Sequence, residues 1–270
     1  MPYRSYKRRD LSVIDIDGRR CLVIAADSCG AVGGKPGDVL KAPASVAGAF
    51  TARVALMEVM ASGAEVVCVT ACVASELDPT GREIMEGVAG ELRKAGAPED
   101  CIGRAGLANG FLNGSTEENF STVMTGLGVT VVGIADKRAL KFRCAADKDL
   151  LLLFGEPLVG QEVLNNRGRA VAYETLRALA RDKNVREISP VGSKGIAFEC
   201  EALAAVNGGR FVPYECGVDT KKSGGPATCA VALVSPDFVK NLDAAGFVTL
   251  GEFSGYDALP ASPPLTNEST

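Results

Sequence analysis

Short apolar stretches alternate with amphipathic stretches along this chain, and two long glycine-rich segments interrupt the alternation in its first half. The apolar stretches are rich in β-branched residues and are bounded by Gly, Pro, Asp and Ser, which is typical of strands. The stretches between them carry apolar residues at spacings of three and four, which is typical of helices. This order of elements predicts α/β or α+β layers.

The predicted strands cover residues 13–16, 21–26, 66–73, 128–135, 150–154, 185–191, 210–215, 228–234 and 247–251. The predicted helices begin near residues 46, 80, 170 and 193, and a short helix follows the strand 228–234. Thr80 and Glu83 have the spacing of a capping box at the start of the second helix. The glycine-rich segments 28–45 and 98–119 are long enough to predict functional loops.

A charged segment at residues 136–149 separates two halves of similar size and predicts a domain boundary. We expect an amino-terminal domain at residues 1–146 and a carboxy-terminal domain at residues 147–259. The segment 260–270 is rich in Pro, Ser and Thr, and we expect it to be a disordered tail.

The composition is that of a compact soluble protein, with 47% hydrophobic residues, 23% charged residues and a net charge of −4. Acidic residues outnumber basic ones, so we expect no nucleic-acid partner, and we interpret the basic run 4–9 as a solvated arm. The longest strongly apolar run is too short to span a bilayer, and no signal peptide is visible. Nine cysteines without a CxxC pair predict reduced thiols in a cytoplasm.

The chain contains no histidine, which restricts its possible chemistry. Any proton transfer must use a carboxylate, Lys, Tyr or Cys, or the reaction must depend on positioning and metal charge. Phosphoryl transfer from a nucleotide tolerates this restriction best, because it depends mainly on electrostatics and geometry. A P-loop is excluded, since Cys29 replaces its first glycine and Pro36 replaces the hydroxyl residue after Lys35.

The candidate site residues are acids and glycine-loop residues. Carboxylates are the ligands that Mg²⁺ prefers, and the predicted metal ligands are Asp10, Asp27, Glu58 and Glu118. The predicted phosphate contacts are Lys35, Gly114, Ser115, Thr116 and Ser193, where glycine-loop amides and a helix amino terminus favour anions. The predicted catalytic residues are Asp27 and Lys194.

Several of these residues have a structural alternative. Asp27 fits a turn or cap at a strand end, Glu58 fits a helix surface, and Ser193 fits an ordinary helix N-cap. The joint occurrence of acids with two glycine loops favours the functional interpretation.

Several stretches resemble the superfamily of aminoimidazole ribonucleotide synthetase, selenophosphate synthetase, thiamine-monophosphate kinase and the hydrogenase-maturation ATPases. The stretches are Asp10-Leu-Ser-Val-Ile, the strand ending at Asp27, the helix residues 55–64 that end in Gly63-Ala64, and Gly114-Ser-Thr-Glu-Glu118 with the strand that follows. The similarity runs from about Asp10 to Val234. Two departures are Glu58, where the superfamily has Asp, and Pro190, where some members have a carboxylate.

The resemblance implies a two-domain aminoimidazole ribonucleotide synthetase-like fold, with an amino-terminal mixed sheet that builds a homodimer and a carboxy-terminal α/β domain. It also implies Mg²⁺ and ATP in the cleft between the domains. Within the superfamily, segments 36–39, 79–83, 114–120 and 190–195 are most similar to the alpha-ribazole kinases.

That similarity implies a cytoplasmic kinase that acts on a small nucleoside, at the ribose 5′-hydroxyl of alpha-ribazole, with no membrane partner. The alternatives are an ATP-dependent synthetase or dehydratase of the same superfamily and a non-catalytic ATP-binding scaffold.

Overall fold

The computed structural model describes residues 3–102, 110–240 and 246–256. Its first sheet has six strands in the order β1-β2-β3-β8-β6-β7. These strands are β1 (Ser5–Arg8), β2 (Leu11–Asp15), β3 (Arg20–Gly30), β6 (Glu65–Val73), β7 (Leu112–Ser115) and β8 (Gly126–Asp136). The sheet is mixed, because β6 and β7 run parallel and the other neighbours run antiparallel. Short strands β4 (Val32–Gly33) and β5 (Leu40–Lys41) form a separate ribbon.

Two helices, α1 (Ala44–Ala61) and α2 (Arg82–Lys94), cover one face of this sheet. They pack against each other at two glycines, where a Cβ on Gly48 would overlap the Ile84 carbonyl oxygen and one on Gly87 would overlap the Ser45 carbonyl oxygen. The buried residues of α1 lie all around the helix and not on one stripe, because α1 also contacts the second half of the chain.

The second sheet has five antiparallel strands in the order β10-β12-β9-β13-β11. They are β9 (Leu150–Gly155), β10 (Val185–Pro190), β11 (Gly209–Pro213), β12 (Cys229–Val234) and β13 (Val248–Gly255). The longer helices of this half are α5 (Tyr173–Arg181) and α6 (Ile196–Val206). The short helices of the molecule are α3 (Glu99–Ile102), α4 (Gln161–Asn165) and α7 (Pro236–Lys240).

Alternation along the second sheet divides its side chains between two cores. Leu151 and Leu153 face α6, whereas Leu152 and Phe154 join the larger core that includes α1, α2 and α5. At this junction the buried Arg53 of α1 donates hydrogen bonds to the backbone oxygens of two residues in the second half, Val171 and Ala227. The junction between the two sheets is therefore tightly packed on one side of α1.

The predicted fold class is confirmed, and each predicted strand and long helix is present within a few residues of its predicted bounds. The predicted capping box is wrong. The Thr80 hydroxyl donates a hydrogen bond to Glu76, and the Glu83 carboxylate accepts one from the Ala44 amide. Helix α2 begins at Arg82, after the turn Leu77–Gly81.

The prediction that residues 4–9 form a solvated arm is also wrong, because part of this segment forms β1. The division at residue 146 stays a prediction; the first sheet uses residues 5–136 and the second uses residues 150–255. The predicted tail 260–270 lies outside the described residues.

Among the described helices, α1 is long and apolar enough to cross a membrane by length and composition. However, 67% of its most apolar window is buried inside the protein. A mostly buried core helix passes the same test of length and composition.

Candidate active site between the two sheets

A cavity of about 290 Å³ lies where the end of β3 and the outer side of α1 meet two loops of the second half. The lining residues from the first half are Asp27, Ser28, Cys29, Phe50, Thr51, Val54 and Glu58. Those from the second half are residues 190–193 and 225–227. The cavity therefore brings together three predicted site residues from separate parts of the chain, namely Asp27, Glu58 and Ser193.

A larger cavity of about 560 Å³ lies at the carboxyl ends of α1 and α2, beside α5. Its lining is mostly apolar, with Glu65, Arg177 and Arg181 as its charged residues, and it contains none of the predicted site residues. We therefore place the candidate site at the smaller cavity, where carboxylates and a glycine turn converge.

The negative charges of Asp27 and Glu58, the two carboxylates of the smaller cavity, are only partly offset by neighbouring groups. Burial raises the pKa of Glu58 to about 7, although the nearby charge of Arg9 opposes this shift. Glu58 Oε2 is buried and has no hydrogen-bond partner among the described residues. Burial also raises the pKa of Asp27, which accepts a hydrogen bond from the Ser28 amide. Both carboxylates thus retain oxygens that are free to accept a ligand.

Arg9 and three residues from the second half lie behind Glu58, and sequence reasoning missed all four. Arg9 forms ion pairs with Glu58 and with Glu187, and it donates a hydrogen bond to Ser189. Ser189 donates in turn to Glu199 of α6. No local pattern marks these residues, since Arg9 and its partners in the second half lie at opposite ends of the sequence.

The turn Gly192–Gly195 lies before α6, as the sequence predicts, but its parts have different partners. Ser193 lines the cavity. Burial raises the pKa of Glu199, and the amide of Gly192 beside it opposes this shift. The Lys194 ammonium lies 4.3 Å from the centre of the Phe198 ring, and Lys194 is not a lining residue of the cavity.

The remaining predicted phosphate contacts form a second cluster around the turn Leu77–Gly81. The Lys35 ammonium lies 2.6 Å from Glu76 Oε2 and also donates to the Thr122 carbonyl oxygen. Glu118 accepts hydrogen bonds from the Leu77 amide and the Thr116 hydroxyl. Gly114 and Ser115 belong to β7, where they pair with β6. None of these residues lines the cavity between the sheets.

The four predicted metal ligands are not gathered at one point. Asp27 and Glu58 line the cavity, the exposed Asp10 is close enough to Glu58 to raise its pKa, and Glu118 belongs to the second cluster. Within the parts of the chain that the structure describes, no three Cys, Asp or Glu side chains lie close enough to hold a metal ion. Metal binding stays a prediction for these carboxylates. Glu58 Oε2 fits it best, because it is a buried acceptor that has no hydrogen bond from any of the described residues.

Comparison with known protein-family models and with curated proteins finds no match. Solved structures do match. PurL of Thermotoga maritima complexed with AMPPCP is 13% identical with a TM-score of 0.57, and the match covers 83% of this chain and 38% of PurL. This chain thus spans about two fifths of the length of PurL.

Two further matches cover nearly the whole of both proteins. Thiamine-monophosphate kinase from Stenotrophomonas maltophilia is 14% identical with a TM-score of 0.58, over 92% of this chain and 90% of that kinase. AaThiL complexed with AMPPCP and TMP is 12% identical with a TM-score of 0.58, over 94% of this chain and 89% of AaThiL. The chain therefore has the aminoimidazole ribonucleotide synthetase-like fold, which it shares with PurL and thiamine-monophosphate kinase.

Proposed function

We propose that this protein is an ATP-dependent kinase of a small nucleoside, with its active site in the cavity between the two sheets. The observation that carries the proposal is that Asp27 and Glu58 lie on one cavity with the Gly192–Ser193 turn. Carboxylates and a glycine turn are the groups that phosphoryl transfer needs when histidine is absent. The similarity in fold to AaThiL, which was solved with AMPPCP and TMP, supports the same function.

Asp27 and Glu58 are the residues that would hold Mg²⁺, with Asp10 as a neighbouring negative charge. When bound, the ion would offset the charge of the ATP phosphates. Glu58 provides a buried oxygen that lacks a hydrogen-bond partner, and Asp27 provides a half-buried carboxylate. Glu118 and Lys35 lie in the second cluster, and we propose that they contact phosphate only if the loops of that cluster approach the nucleotide.

The chain's own residues would orient the reacting groups. Ser193 lines the same cavity as Asp27 and can donate a hydrogen bond from its hydroxyl group to a phosphate oxygen. Asp27 can accept a hydrogen bond from the attacking hydroxyl, which orients that hydroxyl toward the phosphorus. Lys194 would have to leave the Phe198 ring to reach the transferred group.

For the acceptor we propose the ribose 5′-hydroxyl of alpha-ribazole. The support is the sequence similarity of segments 36–39, 79–83, 114–120 and 190–195 to the alpha-ribazole kinases. The cavity volume of about 290 Å³ lies near the lower limit of ordinary ligand sites, so it accommodates part of one small ligand and not a polymer.

The test is a coupled measurement of ADP release over a panel of nucleosides that includes alpha-ribazole. We expect ADP release only with an accepted nucleoside, together with a stable phosphomonoester product. Stabilisation by Mg-ATP on heating without ADP release on any nucleoside would instead identify a non-catalytic scaffold.

A second candidate is an ATP-dependent synthetase, which the similarity in fold to PurL favours. Such an enzyme activates an oxygen by phosphorylation and then releases free phosphate as a new bond forms. Analysis of the products distinguishes the two candidates, since a kinase leaves the phosphate on its product.

The face of the first sheet that α1 and α2 do not cover supports a homodimer. Apolar side chains that alternate with the core residues remain only half-buried on this face: Ile14, Leu22, Ile24, Val132 and Ile134. Contiguous apolar patches of this kind mark interfaces. We expect light scattering to give a dimer for the wild type and a monomer for Ile24→Lys. The control Val39→Lys changes a residue that is 86% exposed and lies elsewhere, and it should remain dimeric.

A further inference from the structure

Arg9 occupies an unusual position in the chain. It lies in the turn between β1 and β2 with a φ of +52°, a left-handed conformation that L residues other than Asn and Asp rarely adopt. Despite its place near the amino terminus, its side chain is only 4% exposed. A strained backbone with a buried charge indicates that the side chain has a specific role.

The guanidinium of Arg9 contacts both halves of the molecule. Nε donates to Glu187 Oε1 at 3.1 Å, Nη1 donates to the Ser189 hydroxyl at 2.8 Å, and Nη2 donates to the Ile188 carbonyl oxygen at 2.9 Å. Nη1 also lies 3.7 Å from Glu58 Oε2 on α1, which is an ion pair and too long for a hydrogen bond. Arg9 therefore connects β10 to one wall of the cavity.

The same contacts reach the other wall of the cavity through Ser189. The Ser189 hydroxyl accepts from Arg9 and donates to Glu199 Oε2 at 2.7 Å. Glu199 Oε1 in turn lies beside Gly192, 3.8 Å from the position of a Cβ on that residue, and Gly192 begins the turn that lines the cavity. A continuous series of contacts thus runs from Arg9 through Ser189 and Glu199 to the Gly192–Ser193 turn.

We infer that Arg9 is a positioning residue, which fixes Glu58 and the Gly192–Ser193 turn at the separation that the ligand of the cavity requires. The inference rests on the proposed function for the identity of that ligand, Mg-ATP. A planar guanidinium is suited to this role, because it donates in three fixed directions at once. A lysine in the same place keeps the charge but cannot reproduce the three hydrogen bonds.

Arg8 provides a matched control. It lies next to Arg9 and donates to the same carboxylate, at 2.5 Å from Arg8 Nη2 to Glu187 Oε2. Its other hydrogen bonds go to Val206 and Asn207 at the end of α6, so none of them reaches Glu58 or Ser189. Loss of Arg8 therefore removes a buried ion pair of similar kind without removing the connection to the cavity.

The experiment compares the wild type with Arg9→Gln, Arg9→Lys, Ser189→Ala and Arg8→Gln. Hydrogen exchange is followed in peptides that cover residues 55–62 and 189–195, and calorimetry gives the affinity for Mg-ATP. Steady-state kinetics gives KM for ATP separately from kcat.

We expect both Arg9 variants to exchange faster in both segments and to bind Mg-ATP more weakly by a factor on the order of ten, as for other residues behind a ligand shell. Ser189→Ala should accelerate exchange only at residues 189–195. Arg8→Gln should lower the melting temperature without changing either segment or the affinity. A rise in KM for ATP that exceeds the fall in kcat marks positioning and not general destabilisation.

Unchanged exchange in both segments of Arg9→Gln would overturn the inference, and so would equal effects in Arg8→Gln. If Arg9→Gln does not fold, Ser189→Ala decides the question, and unchanged exchange at residues 189–195 overturns it. A wild type that neither binds Mg-ATP nor releases ADP contradicts the proposed function, and the exchange measurements then decide the positioning role by themselves.

Discussion

Glu58 Oε2 and Arg9 Nη1 lie 3.7 Å apart at the junction of the two sheets, and no described residue donates a hydrogen bond to Glu58 Oε2. The ion pair compensates part of the cost of burying the carboxylate, but the pKa of Glu58 is still raised to about 7 by burial. A buried acid that is held in this way is costly for the free protein and available to a cation.

The first prediction concerns Glu58→Gln. Because the pKa of Glu58 is higher in the folded state than its ordinary value of 4.5, the folded protein binds the proton more tightly than the unfolded chain. The free energy of unfolding should therefore fall as the pH rises from 4.5 to 7. The amide that replaces the carboxylate does not ionise, so the free energy of unfolding of the variant should not fall over this pH range. At pH 8 the variant should therefore be more stable than the wild type by at most about 3 kcal/mol.

Urea denaturation at pH 5 and pH 8 measures this difference. The variant should also lose the stabilisation that Mg-ATP gives the wild type on heating. If the free energy of unfolding depends on pH in the same way in both proteins, then burial of the charged Glu58 carboxylate does not destabilise the fold, and the prediction is wrong.

The second prediction concerns Asp27→Asn. Loss of one charged contact to the reacting groups should reduce kcat by roughly 10²–10³-fold, equivalent to about 2.7–4 kcal/mol in barrier. The control Asp136→Asn changes another strand aspartate, which pairs with Arg19 at the surface, and it should leave kcat unchanged. Turnover of Asp27→Asn at the wild-type rate would remove Asp27 from the mechanism.

The third prediction concerns acid stability and the second cluster. Burial opposes the shift, but hydrogen bonds from Lys35 and Thr80 lower the pKa of Glu76 to about 2. The ionised Glu76 carboxylate therefore stabilises the folded protein. This stabilisation is complete above pH 4.5 and is lost as the pH falls toward 2. Because the pair is partly exposed, Glu76→Gln should remove at most about 1 kcal/mol at pH 6.

Unfolding of the wild type and the variant at pH 6, 4 and 3 tests this prediction. The difference between the two proteins should shrink as the pH falls. A difference that is constant with pH would mean that the Glu76 side chain stabilises the fold by packing and not by charge.

The fourth prediction compares two glycines of α2. Gly87→Ala places a methyl group against the Ser45 carbonyl oxygen and should cost about 1–3 kcal/mol, because α1 and α2 must separate. Gly90→Ala meets no atom within 4 Å and should stabilise the helix by about 0.5–1 kcal/mol. Chemical denaturation of both variants measures the contrast, and equal effects would contradict the close crossing of the two helices.

Much of the fold follows from local patterns. The strand at residues 66–73 and the helix that begins near residue 80 are predicted correctly, because the spacing of apolar residues differs between strands and helices. The capping box at Thr80 fails because one of its side chains has a local partner and the other has a tertiary partner. Its two side chains bind Glu76 and the start of α1 instead of each other.

Prediction of the candidate site is less complete. The sequence identifies Asp27, Glu58 and Ser193, which meet on one cavity, but it also groups Glu118 and Lys35 with them, which lie in a second cluster. It gives no indication of Glu187 and Glu199, and it places Arg9 on a solvated arm.

The sequence by itself determines the order of strands and helices, the absence of histidine and the presence of acidic residues near glycine-rich segments. These features depend only on residue types and on near neighbours in the chain. Only the tertiary structure decides which of those acids share a cavity and that Arg9 is buried among them. The physical reason is that burial and ion pairing depend on the packing of segments that lie far apart in the chain, which no local pattern records.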